Sequence, residues 1–217
     1  MEKNIKRELI SGWSHLFAGI LSVIGLTIML LFGRMSAVLW WAVLVYGISL
    51  AGMFFSSAIY HLNQTRSART ILILRKIDHS AIYFLIAGSY TPICIHFFND
   101  FFRYPFLLII WGLALLGVGV KIFVIQAPRW VTAGIYLIMG WLSITAIQEM
   151  LSKMPGPAFL WLVLGGVFYT VGAVIYMKKK PDFFPEVFGF HELWHLFVIF
   201  GAFSHFVVVL AYIANVF

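Results

Sequence analysis

Seven apolar runs, each long enough to cross the roughly 30 Å of hydrocarbon in a bilayer, occupy most of this 217-residue chain. They cover approximately Trp13–Phe32, Val38–Leu62, Asp78–Phe98, Tyr104–Phe123, Trp130–Glu149, Ala158–Met177 and His191–Val216. None alternates apolar and polar residues with a period of two, which disfavours a membrane β-barrel. The fold expected is all-α and integral to the membrane: a bundle of seven transmembrane helices forming one domain over 1–217. Residues 1–12 read as a short amphipathic, cytoplasmic segment ahead of the first span. With 62% hydrophobic and 11% charged residues, the chain has too little polar surface for a soluble globule of its length. The first run outlasts the apolar part of a secretory signal and lacks a small-x-small exit, so it reads as a retained helix.

A formal net charge of +7 would suggest nucleic acid in a soluble chain, but here the basic residues lie between the spans, and no nucleic acid is implied. Lys3, Lys6 and Arg7 precede the first span; Arg66, Arg69, Arg75 and Lys76 follow the second. Lys121 and Arg129 lie in the fourth connection, and Lys178, Lys179 and Lys180 in the sixth. The opposite side holds only Arg34, Arg103 and Lys153. Because short cytoplasmic connections carry the excess of Lys and Arg, the N-terminus is expected in the cytoplasm and the C-terminus outside, in a multi-pass protein of the plasma membrane.

Several breaks are legible. Pro92 removes a backbone donor and should bend the third helix. Met154-Pro155-Gly156-Pro157 separates helices five and six, and Pro181 with Pro185 stiffens the last connection. Gly112, Gly117, Gly119, Gly165, Gly166 and Gly172 offer close helix approach. The single cysteine, Cys94, excludes an intramolecular disulfide and a cysteine-built metal site.

Chemistry concentrates at the inner ends of three spans. His191 and His195 are four residues apart, so on a helix they sit about 40° apart in azimuth and one turn apart in height. Paired histidines at this spacing are a recurrent way to hold zinc. The orientation brings His61, at the end of the second helix, and Asp78, at the start of the third, to the same depth. Ser57 shares the face of His61 one turn deeper. Three imidazoles and one open position make a Zn2+ site of the catalytic kind, with a carboxylate and a hydroxyl beside it. Each group also has a plainer use: an interfacial histidine can simply bond a carbonyl, and Asp78 can cap its helix. The literal His191-Glu192-Leu193-Trp194-His195 further matches the zincin pattern, in which the glutamate is a general base. Glu192 is equally well placed by helix electrostatics alone; if Asp78 is the base, Glu192 points away from the metal and tolerates Gln.

Other polar residues call for less. His205 is about 21 Å along the helix from His191 and should bond a neighbouring helix in the outer half. His79 should face a neighbour or the headgroups, His96 should be solvated beside Asn99 and Asp100, and Lys121 should snorkel to the surface. Trp40, Trp41, Trp111, Trp130 and Trp161 fit interfacial belts. Lys178-Lys179-Lys180 could attract anionic lipid.

The stretches Ser57-Ala-Ile-Tyr-His61, Leu74-Arg75-Lys76-Ile77-Asp78-His79-Ser80-Ala81-Ile82-Tyr83, Ala87-Gly88-Ser89-Tyr90-Thr91-Pro92 and Phe188-Gly189-Phe190-His191-Glu192-Leu193-Trp194-His195 resemble the bacterial haemolysin III family. That family belongs with the progestin and adiponectin receptors and, more distantly, the alkaline ceramidases. The resemblance covers nearly the whole chain. It implies seven helices, an inside N-terminus and one zinc near the cytoplasmic face, bound by His61, His191 and His195, with Asp78 and Ser57 holding the water on the metal. The family's N-terminal Glu-x2-Asn-x3-His element is matched at Glu8 and His15, with Ser11 where Asn is usual.

Zinc lowers the pKa of a bound water and polarises a carbonyl, and a neighbouring carboxylate can carry the proton to a leaving group. At headgroup depth the natural substrate is an amphiphile, so the expected activity is zinc-dependent hydrolysis of a lipid amide or ester, in keeping with the ceramidase likeness. Two other classes stay open: a receptor-like or regulatory membrane protein with a structural zinc, and the cytolysin that the family name implies. No amphipathic cationic segment supports cytolysis, and no polar file or internal repeat supports a transporter.

Overall fold

In the computed structural model, the described residues are 5–63, 67–123, 128–184 and 186–216. Lys3, Arg66 and Pro185, named above, lie outside them. The helices are α1 (Ile5–Phe32), α2 (Ala37–Leu62), α3 (Ala68–Phe97), α4 (Asp100–Phe123), α5 (Arg129–Trp141), α6 (Ile147–Lys153), α7 (Gly156–Lys178) and α8 (Phe190–Val207). A 3₁₀ stretch, Leu142–Ala146, joins α5 to α6, and α8 runs on into a π-helical segment, Val208–Ile213. Counting α5 to α6 as one span, seven helices among the described residues are long and apolar enough to cross a membrane. The chain is a seven-helix membrane bundle.

Consecutive helices are joined by short connections, so the bundle runs up and down, with α1 against α2, α2 against α3 and α7 against α8. The core between them is built by large side chains such as Tyr46, Met29, Ile110 and Phe98. Outward faces are apolar instead of charged: Phe17, Leu31, Trp41, Leu108 and Leu160 are all exposed, as a hydrocarbon solvent requires. Met154 and Pro155 break the chain between α6 and α7 as the sequence indicates. Helix α3 continues through Pro92, which is buried.

Two expectations are corrected. The third helix starts at Ala68, ten residues before the apolar run does, with the Ser67 hydroxyl accepting from Thr70 N–H. Asp78 is therefore a buried residue in mid-helix and caps nothing; Arg69, Arg75 and Lys76 ride on the same helix. Likewise α1 begins at Ile5, so residues 5–12 form its first turns. In both cases a helix outlasts its hydrophobic stretch, because backbone hydrogen bonding favours continuation once a helix is nucleated.

Among the expected glycine contacts, Gly117 meets Tyr83, and Gly172 meets Phe197 and Trp194. Gly165 lets His205 lie against α7, where a Cβ would run into the imidazole. Gly112 and Gly119 face open space.

Candidate metal centre and cavity

The site is assembled at the end of the bundle where the basic connections lie. It begins with the anchoring of α8. Gly189 N–H donates to the Glu192 carboxylate at 2.8 Å, and Phe190 N–H donates to Asp182 at 3.2 Å, satisfying donors that open the helix. Arg7 on α1 binds the same two acids, at 2.9 Å to Glu192 and 3.3 Å to Asp182. The Ser11 hydroxyl donates to Glu192 as well, at 3.4 Å. Thus α1 clamps the first turn of α8, the helix that carries His191 and His195.

Helix α2 presents His61 to the same place. Nitrogen ligand atoms of His61, His191 and His195 all lie within 4.8 Å of one another. His61 Nε2 and His191 Nε2 face each other at 3.5 Å. Two ligands about 2.0–2.1 Å from a tetrahedral zinc stand about 3.4 Å apart, so this pair has the separation that a shared ion requires. His61 and His195 are 5% and 1% exposed, and His195 Nδ1 is buried without a hydrogen-bond partner. Buried imidazoles with unused lone pairs suit transition metals better than hard, oxygen-seeking ions. The three histidines could hold a metal.

Nδ1 of His61 is bonded to the Glu8 carboxylate at 2.9 Å. An ionised carboxylate only accepts, so Nδ1 carries the hydrogen and Nε2 presents its lone pair toward His191. Asp78, on α3, and Ser57, one turn before His61 on α2, are both buried.

From this point an apolar cavity of about 190 Å³ runs into the bundle. His15, Ser57 and Asp78 border it at the histidine end, and Ile93, Ile147 and Met150 border it far away. Its walls come from α1, α2, α3, α5, α6, α7 and α8. The 3₁₀ break between α5 and α6 is held against α3 by Tyr90, whose hydroxyl lies 2.6 Å from Gly140 O and accepts from Ser143 N–H at 3.1 Å. A broken helix widens the bundle there, and the tyrosine supplies the partners that the break removes.

Of the expected site residues, His61, His191 and His195 are brought together, and Ser57 and Asp78 both border the cavity. Glu192 does point away from the histidines, but it is buried in the Arg7 clamp, so the expectation that it tolerates Gln is not supported by its surroundings. Lys121 is corrected too: it is buried against Thr132, with a hydrogen bond of 3.4 Å, and does not reach outward. His205 bonds Leu162 O on α7 at 3.2 Å, and His96 is exposed, both as expected. Two residues acquire a place that spacing alone did not give them. Glu8 supports His61, and His15 stacks on His195 with ring centroids 3.9 Å apart. The available signal was that Glu8 and His15 are seven residues apart on one helix, two turns along one face.

The family described as Haemolysin-III related matches residues 3–206. The chain belongs to that family. The Hemolysin-3 homolog of Bacillus subtilis (strain 168) is 34% identical over 214 residues, covering 98% of this chain and 97% of that protein. Hemolysin-3 of Bacillus cereus is 36% identical over 218 residues, covering 98% and 94%. More distantly, the adiponectin receptor protein of Drosophila melanogaster is 26% identical over 179 residues, which is 71% of this chain and 40% of that receptor. This haemolysin III-related protein therefore shares nearly its full length with the bacterial relatives and part of its helical core with a receptor.

Proposed function

We propose that this protein is a zinc-dependent hydrolase acting in the plasma membrane on an amide or ester of a fatty acyl lipid. The observation that carries the proposal is the cluster of three imidazoles, with His195 stacked on His15, which together with Asp78 and Ser57 borders an apolar cavity. His61, His191 and His195 would hold the ion, and Glu8 would fix the tautomer of His61. When bound, Zn2+ supplies an activated water at neutral pH and polarises the acyl carbonyl. Asp78 takes a proton from the attacking side and returns it to the leaving amine or alcohol. Ser57 orients that carboxylate or donates to the oxygen that gains charge. The cavity takes the acyl chain, which places the polar linkage at the histidines and keeps bulk water from the reaction.

A second reading has its own support. The histidines join α2 to α8, and Glu8 adds α1, so an ion here would also fasten three helices as a structural site does. A lipid-sensing or receptor-like role would use that fastening without turnover, in line with the name of the insect relative. Cytolysis, which the names of the bacterial relatives suggest, draws nothing from the geometry.

The test is metal content and lipid-amide hydrolysis measured together on detergent-purified wild type, His191→Ala and Asp78→Asn. The hydrolase reading expects about one zinc per chain, lost in His191→Ala, with Asp78→Asn keeping metal and losing turnover. Zinc present with Asp78→Asn indistinguishable from wild type in every assay would move the protein to the structural reading. No stoichiometric metal after zinc is supplied would sink both.

A further inference from the structure

Around the first residue of α8, basic and aromatic side chains from several elements gather. Phe190 lies between two guanidiniums, with Arg129 of α5 at 5.4 Å from its ring centre and Arg7 of α1 at 5.6 Å. Arg129 also lies over the ring of Tyr176 on α7, at 5.1 Å. Stacking engages the flat face of a guanidinium and leaves its N–H edge for other partners. Arg7 directs that edge to Asp182 and Glu192. Arg129 is exposed, and no carboxylate among the described residues pairs with it.

Just beyond Tyr176, Lys178, Lys179 and Lys180 close α7 and open the connection to α8. All three are exposed, and none forms an ion pair among the described residues. The acids of the connection do not cancel this charge. Asp182 is bound by Arg7 and by Phe190 N–H, which leaves Arg129 and the three lysines set against Glu186. Phe184 and Phe188 exchange backbone hydrogen bonds of 2.9 and 2.8 Å, closing the connection into a turn. On that turn Phe183 and Phe184 are 60% and 66% exposed. Orientation of the spans requires charge beside the helix ends. It does not require phenyl rings turned outward from a hydrogen-bonded turn. Rings beside lysines at the end of a span match the boundary of an anionic leaflet, where apolar groups enter the acyl edge and cations meet phosphate.

We propose that Arg129, Lys178, Lys179 and Lys180, with Phe183 and Phe184, form a docking site for an anionic phospholipid of the adjoining leaflet. The cations meet its phosphate and the rings its acyl edge. This lipid lies outside the bundle, and its binding depends neither on a metal nor on hydrolysis.

Native mass spectrometry of the full-length protein, titrated in detergent with dioleoyl phosphatidylglycerol or dioleoyl phosphatidylcholine, tests the proposal through the affinity of the first bound lipid. A basic side chain near an anionic surface is worth about fivefold, so wild type should bind phosphatidylglycerol at least about tenfold more tightly than phosphatidylcholine. Replacing all three lysines by Gln should remove most of that preference, and Arg129→Gln should reduce it about fivefold, each leaving phosphatidylcholine affinity within about twofold. Phe183→Gln combined with Phe184→Gln should weaken both lipids, and excess glycerol 1-phosphate should displace neither. If the triple lysine variant fails to fold, as judged by gel filtration, Arg129→Gln and the ring variant carry the test. Equal affinity of wild type for the two lipids, an unchanged preference in the charge variants or unchanged affinity in the ring variant would overturn the proposal. Displacement of phosphatidylglycerol by glycerol 1-phosphate would overturn it too, in favour of a soluble anion.

Discussion

Glu8 on α1 accepts a hydrogen bond from Nδ1 of His61 on α2 at 2.9 Å. The bond joins residues 53 positions apart and commits the opposite nitrogen of His61 to the cluster. Partners of this kind orient metal-binding imidazoles and raise their basicity, and removing them typically costs about 10–100-fold in metal affinity. Glu8→Gln, which keeps an acceptor but not the charge, should fall at the mild end of that range, and Glu8→Ala at the severe end. Competition with a chromophoric zinc chelator measures both. Affinity unchanged in Glu8→Ala would mean that His61 holds its orientation without the carboxylate.

Glu192 lies within a literal zincin motif, yet its carboxylate is engaged by Arg7, Gly189 N–H and Ser11. Its side chain is 2% exposed against 18% for Arg7. Breaking a buried ion pair from one side strands the other charge, at a cost of about 3–5 kcal/mol. Partial exposure of Arg7 moderates this, so Glu192→Ala should cost about 2–4 kcal/mol, and Glu192→Gln, which can still accept, roughly half as much. Thermal unfolding in detergent reads both. Metal content of the folded fraction should match wild type in each; loss of metal from well-folded Glu192→Gln would restore a direct role for Glu192.

How much of this was legible in the chain can be argued from these same residues. The spans were legible because a bilayer demands long apolar helices whatever their packing. Convergence of His61, His191 and His195 followed from helix direction and spacing. Asp78 was misplaced within its helix because hydropathy marks the edge of the hydrocarbon, not the end of the helix. The Arg7–Glu192 clamp and the Lys121–Thr132 pair were hidden for another reason: which side chain meets which across two helices depends on rotation about the helix axes, and a basic residue near a span end looks like any other snorkelling lysine.

His15 is 3% exposed, stacks on His195 at 3.9 Å and 24°, and borders the cavity. Neither ring nitrogen has a hydrogen-bond partner. A polar group buried in this way costs about 1–3 kcal/mol, whereas a phenyl ring would keep the stack and the edge contact with Phe54. His15→Phe should therefore bind metal as wild type does and unfold at an equal or slightly higher temperature when no lipid is present. Because His15 borders the cavity, the variant should change the thermal stabilisation that a bound lipid gives wild type. A marked drop in unfolding temperature without lipid would show instead that His15 serves the fold. Equal stabilisation of variant and wild type by lipid would remove it from the binding site.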